Sequence, residues 1–158
     1  MNTSDKGIAL IKRLEGCSTV AYRDVAGLLT IGVGHLLTRS ELMSGKILID
    51  GKLVKWGDGI TGNQCDDLLR QDLGWAEQAV RGLVNRPLTQ HQFDALVSFA
   101  FNVGTEAFRN STLLRILNQG QYDAVPAQLA RWTKAAGREV LGLKNRRVWE
   151  IKMWGGVA

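Results

Sequence analysis

Apolar residues recur at helical spacing from Asp5 to Leu14, with Ile8, Leu10, Ile11 and Leu14 on one stripe and Lys12 and Arg13 on the opposite face. Gly16 suits the position just past this helix, because a left-handed φ costs glycine nothing. Glu15 then falls on the last turn, beside carbonyls of negative partial charge, where a carboxylate is disfavoured and its proton held more tightly. After Gly16 the period changes to two. Val20 to Asp24 and Leu28 to Val33 read as strands joined by a tight turn at Val25-Ala26-Gly27. Leu36 to Ser44 reads as a connection. A second hairpin is expected where Ile47-Leu48-Ile49 and Leu53-Val54-Lys55-Trp56 flank Asp50-Gly51, either extending the first sheet or standing as a separate flap.

From residue 61 onwards the pattern is helical. Thr61 and Gln64 form a capping box that opens a long helix to about Val84. Its inward stripe reads Cys65, Leu68, Leu69, Asp72, Ala76, Ala79, Val80 and Leu83, and Gly74 weakens it locally. Asp72 interrupts this stripe, so it requires a partner. A second capping box, Thr89 with Gln92, follows Pro87 and starts a helix with Phe93, Leu96, Val97, Ala100 and Phe101 on its core face, ending near Gly104. Ser111 caps a helix to Asn118, stopped by Gly120. Asp123 begins another, with Pro126 in its first turn. The last helix starts near Asn145-Arg146-Arg147, with Val148, Ile151 and Trp154 apolar. His91 reads as a helix-surface residue.

At 158 residues the chain is expected to form one domain, or two small lobes sharing a helix, and 45% apolar residues suffice for a core. The net charge of +5 favours an acidic partner without choosing among nucleic acid, anionic lipid and cell wall. Cys17 and Cys65 have no ligand or framework spacing and read as unrelated free thiols. No apolar run approaches membrane-spanning length, and the start of the chain lacks a signal-peptide core. The chain is therefore expected to be made and kept in a cytoplasm, with help needed to reach anything outside. Neither a metal-ligand cluster nor a phosphate loop is visible, so no metal or other cofactor is expected.

The candidate chemistry lies in the first hairpin and the helix before it. The hairpin brings Asp24 near Thr30 and returns both towards Glu15, and two carboxylates flanking a cleft are the minimum equipment for breaking a glycosidic bond. A solvated helix end and an aspartate turn residue would account for the same two side chains. The spacing carries more. Glu15, Ala21-Tyr22-x-Asp24, Gly27 and Thr30-x-Gly32-x-Gly34-His35 together resemble the catalytic signature of the phage-type lysozymes, glycoside hydrolase family 24. The resemblance extends over nearly the whole chain. Phe101-Asn102-x-Gly104 resembles a segment bordering the family's cleft, and Trp132, Lys134 and Gly137 resemble the family's Trp-x-x-Ala-x-Gly region, although the usual Pro-Gly-Leu is here Leu141-Gly142-Leu143.

The resemblance implies an α+β, lysozyme-like fold. A small antiparallel sheet lobe at about 16–60 and a helical lobe at about 85–158 plus the N-terminal helix would be joined by the long helix at about 61–84. It implies hydrolysis of the β-1,4 bond between N-acetylmuramic acid and N-acetylglucosamine in peptidoglycan, with inversion at the anomeric carbon. Glu15 would be the acid, Asp24 the group holding or activating water, and Thr30 a further partner for that water. It also implies saccharide contacts from Asn102 and from one of the two arginines, Arg146 being favoured, and a partly buried ion pair between His35 and Asp72. The expected setting is a monomer made in a bacterial host's cytoplasm and released, with a holin's help, onto a thin Gram-negative wall. Neither nucleic acid nor stable membrane insertion is expected. A lytic transglycosylase would cut the same bond but needs no Asp-Thr pair to position water. A catalytically dead wall-binding module would have no use for the intact motif.

Overall fold

The computed structural model describes residues 1–158. The chain divides into two compact units, one formed by residues 11–74 and the other by residues 1–10 with 75–158. The order of elements is α1 (Asp5–Glu15), β1 (Ser18–Arg23), β2 (Leu29–Gly32), β3 (His35–Leu36), α2 (Arg39–Ser44), β4 (Lys46–Ile49), β5 (Lys52–Lys55), α3 (Gly62–Asp72), α4 (Gly74–Leu83), α5 (Gln90–Val103), α6 (Thr105–Arg109), α7 (Thr112–Asn118), α8 (Val125–Leu129), β6 (Lys134–Ala135), β7 (Arg138–Glu139) and α9 (Leu141–Trp154).

In residues 11–74, β1, β2 and β3 form an antiparallel sheet in that order, with Tyr22 opposite Thr30 and Ile31 opposite His35. The second hairpin is a separate sheet of β4 and β5, not an extension of the first. Its turn puts both Asp50 and Gly51 at positive φ (49° and 74°), the geometry that suits the twist of the flanking strands. Ile47 and Ile49 point inward, and with Ile31, Leu37, Ile60, Cys65 and Leu68 they form the core of this unit. Gln71 of α3 fastens the hairpin, accepting from Asp50 N at 2.8 Å and donating to Leu48 O at 2.9 Å. The stretch after β3, expected as a connection, contains α2. Thr38 and Glu41 make a full capping box there, the same local signature as Thr61 with Gln64.

The long helix expected over 61–84 is two helices. Leu73, fully buried, takes φ −75° and ψ −10° and ends α3, and Gly74 starts α4. Glycine propagates a helix less well than any residue but proline, so a turn at this point costs little. The division between the compact units also falls here, between Gly74 and Trp75.

In the other unit, α5 is buried from Phe93 to Ala100 and packs against α9. Phe99 meets the rings of Trp132 and Phe108 edge-on, with centroids 5.2 and 6.2 Å away. Two expectations are corrected in this unit. The last helix begins at Leu141, four residues before Asn145. His91 is half-buried, its Nδ1 lying 2.9 Å from Trp154 O. The start of α1 is anchored by Asp94, which is 1% exposed and accepts from Ser4 N at 3.0 Å, from the Ser4 hydroxyl and from Gln90 Nε2 at 2.8 Å.

This packing separates two glycines that the sequence does not distinguish. A Cβ on Gly7 would lie 2.6 Å from Thr3 Cγ2 and 2.8 Å from Asp94 Cγ, whereas one on Gly82 would meet nothing within 4 Å. Gly7→Ala is expected to destabilise the protein by about 1–3 kcal/mol. Gly82→Ala is expected to stabilise it by about 0.5–1 kcal/mol. Urea unfolding of the two variants checks both signs.

Candidate active site

The signature residues all belong to the unit of residues 11–74. Glu15 is the last residue of α1 and is exposed. Gly16, at φ +79°, turns the chain out of the helix, and its N–H donates to Lys12 O at 2.8 Å. That short joint leads directly into β1.

Asp24 heads the turn between β1 and β2. Its Oδ1 accepts from Ala26 N at 2.9 Å and from Leu28 N at 2.8 Å, while its own N–H donates to Leu28 O at 2.9 Å. These bonds fix the carboxylate and leave Oδ2 uncommitted. Thr30 Oγ1 donates to the same Leu28 O at 3.0 Å. Asp24 and Thr30 are therefore tied to one residue, as expected of a hairpin closed at Gly27. The Thr30 side chain is well covered, the residue being only 4% exposed.

His35, at the end of the signature, lies between two carboxylates. Its Nδ1 is 2.8 Å from Asp72 Oδ2 of α3, and its Nε2 is 2.9 Å from Glu41 Oε1 of α2. Asp72 thus has the partner that its place on an apolar stripe requires. Glu41 was not legible as a partner, although its capping box was available as a signal; the same Oε1 accepts from Thr38 N at 2.8 Å. Burial alone would lower the His35 pKa, but the hydrogen bonds and charges of Asp72 and Glu41 outweigh it and raise the value from 6.5 to about 9. For Glu41, burial acts upward, and the Thr38 backbone and His35 together bring its pKa below the usual carboxylate value.

Between α1 and α3, Lys12 Nζ pairs with Asp66 Oδ1 at 2.7 Å. Cys17 and Cys65, expected as unrelated thiols, are unbonded but adjacent, with their sulfurs 2.6 Å apart.

Asn102 and Arg146 belong to the other unit, in a buried polar cluster centred on Glu150, which has no exposed surface. Glu150 accepts from Arg146 Nε at 3.1 Å, Arg147 Nη1 at 2.6 Å and Ser98 Oγ at 2.8 Å. Arg146 Nη2 also donates to Ser98 O at 2.9 Å, and the residue is 5% exposed, so little of it faces solvent. Arg147 donates to Trp132 O at 2.9 Å and to Asn102 Oδ1, and its guanidinium lies 5.0 Å from the Phe99 ring centre. Burial draws the Arg147 pKa down, against the pull of Glu150. Asn102 is exposed, with its amide N–H groups outside this cluster. Glu150 was not singled out from sequence, although Arg146 and Arg147 precede it at helical spacings of four and three.

No group of three or more His, Cys, Asp or Glu side chains converges as metal ligands, and no helix is long and apolar enough to cross a membrane.

Residues 12–150 match the phage lysozyme family. The chain belongs to that family. It is 42% identical to the endolysin of Salmonella phage P22 over 147 residues, covering 93% of this chain and 94% of the relative. It is 39% identical to the SAR-endolysin of Escherichia phage Mu over 141 residues, covering 89% of this chain and 74% of the relative. Among solved structures, P22 lysozyme superposes with a TM-score of 0.82 at 40% identity, covering 98% of each chain. The muramidase domain of SpmX from Asticaccaulis excentricus gives 0.76 at 35% identity over 97% of each chain. The α+β arrangement described above is the lysozyme fold.

The His35 triad of this phage lysozyme sets a pH window. A raised His35 pKa contributes stability that is complete below about 6.5 and disappears as pH rises through about 9. The lowered Glu41 pKa contributes above 4.5 and is lost as pH falls through its folded value. The triad therefore helps most between about 4.5 and 6.5. His35→Asn is expected to cost about 2–3 kcal/mol near pH 5.5 and much less at pH 9.5. Asp72→Asn combined with His35→Asn should cost less than the two single losses added. Thermal melts of the three variants across this range test it, and a pH-independent, additive loss would rule the coupling out.

Proposed function

We propose that this phage lysozyme is an endolysin that hydrolyses the β-1,4 bond between N-acetylmuramic acid and N-acetylglucosamine in peptidoglycan, with inversion. The reading is carried by Asp24, whose carboxylate is held by two backbone N–H groups and shares Leu28 with Thr30, in a chain where Glu15 ends the preceding helix. Glu15 protonates the departing glycosidic oxygen. As the bond breaks, positive charge grows at the anomeric carbon and ring oxygen, and an ionised Asp24 stabilises it. Asp24 Oδ2 orients a water on the opposite ring face and takes its proton as it attacks. Thr30 fixes the height of the Leu28 peptide and so of Asp24, and its hydroxyl oxygen is a further acceptor for that water.

Asn102 offers its amide N–H donors to the saccharide, while Arg146 acts from behind, through Ser98 and Glu150. The enzyme acts as a monomer, without nucleic acid or cofactor. It is made in the host cytoplasm and reaches the wall once a separate holin opens the inner membrane. A net charge of +5 suits an anionic wall polymer. The transglycosylase alternative closes an anhydro ring without water and gives Asp24 and Thr30 nothing to do.

Glu15→Gln is expected to lower lysis of outer-membrane-permeabilised Gram-negative cells by roughly 10²–10⁴-fold, with the fold intact by circular dichroism. Retention of a tenth of wild-type lysis would refute the acid assignment. NMR of the first product should show the α-anomer at a reducing muramic acid end. An initial β-anomer would mean retention, and a product lighter by one water would mean transglycosylation.

A further inference from the structure

We propose that Cys17 and Cys65 are an oxidation site, at which an external disulfide closes an intramolecular cross-link that clamps the segment just past Glu15 to α3. The significance of this clamp rests on the reading of Glu15 as the acid; the chemistry does not. The two sulfurs approach to 2.6 Å, closer than unbonded sulfurs pack and near the roughly 2.05 Å of a disulfide. The positions are 48 residues apart in sequence, so only the fold brings them together.

The surroundings give the two thiols different tasks. Cys17 is exposed, whereas Cys65 is fully buried, with Ser18 O 3.8 Å from its sulfur. Cys17 is therefore the thiol that an external disulfide can reach. Lys12, one turn before Gly16, is anchored on Asp66, the neighbour of Cys65. Burial pushes the Cys65 thiol up to about 12, so it stays protonated until an acceptor sulfur is already beside it. Cys17 is thus the entry thiol and Cys65 the resolving one.

Two exchanges balance the reaction. The Cys17 thiolate attacks a small-molecule disulfide such as oxidised glutathione, forming a mixed disulfide and releasing one thiolate. Cys65 then attacks Cys17 Sγ, the protein disulfide forms, and the second glutathione leaves carrying the Cys65 proton. In sum, one external disulfide is reduced to two thiols, and two protein thiols lose two hydrogens. A protein that stays reduced in a cytoplasm would acquire this bond on reaching an oxidising compartment such as the periplasm.

The test equilibrates the full-length protein with oxidised glutathione and counts thiols by maleimide labelling in denaturant. The count should fall from two to none, the intact mass should drop by two hydrogens, and a non-reducing peptide map should join the Cys17 and Cys65 peptides. The melting temperature should rise by roughly 5–10 °C and return on reduction with dithiothreitol. Cys17→Ser and Cys65→Ser should each abolish the shift. Persisting thiols, stable glutathione adducts, or intermolecular dimers alone would overturn the site. A cross-link that leaves the melting temperature unchanged would overturn the clamp. Glu15→Gln should oxidise as wild type does, so failure of the acid assignment and failure of this proposal are read separately.

Discussion

The His35 ring, gripped at both nitrogens, is the contact on which the sheet-bearing unit depends. Asp72 on α3 holds one nitrogen and Glu41 on α2 the other, so a single side chain on β3 joins two helices to the sheet. Neither carboxylate is comfortable in these surroundings without a cation. The half-buried His35 in turn acquires a charge that burial alone would deny it. The arrangement is mutual, and its cooperative unit is the triad, not any pair within it. Because Glu41 also closes the capping box of α2, the same oxygen that holds the imidazole fixes where that helix begins.

A different electrostatic problem is solved around Glu150. Two guanidinium groups and one carboxylate leave a surplus positive charge inside the α5–α9 packing. That surplus is spread over Ser98 O, Trp132 O, the Asn102 carbonyl and the face of Phe99. Ser98 and Asn102 are carried by α5 and Glu150 by α9, so helices position most of the partners of this buried polar network. Asn102 is orientated by this network from the inside while its amide nitrogen stays on the surface. The part of the cluster that solvent meets is therefore set by residues that solvent does not reach.

The hairpin of β1 and β2 follows another principle. Asp24 owes its position to the two peptides of its own turn, and Thr30 to a carbonyl two residues before it. Such contacts form as soon as the hairpin closes and move with it as one piece. Glu15 is set by a helix end and a left-handed glycine, equally local devices. Glu15 and Asp24 are thus each built on a short-range scaffold, and the longer-range contact of Lys12 with Asp66 holds α1 to α3.

The sequence by itself determined whatever depends on neighbours within a few residues. The end of α1 at Gly16, the Asp50-Gly51 turn, the capping boxes at Thr61 and Thr89 and the signature from Glu15 to His35 were all legible, because each is a matter of φ preference, capping or strand period. Asp72 showed that a partner was needed, since a charge on an apolar stripe cannot stand alone. The tertiary structure decided the pairings and breaks that local pattern left open. It added Glu41 to the His35 contact, engaged Arg146 and Arg147 with Glu150, brought Cys17 against Cys65, and broke the long helix at Leu73, a position whose burial only the packed core defines. The physical reason is common to all four. A local pattern states that a polar or bulky group must be satisfied, but the partner is whichever group the completed packing carries to within bonding distance.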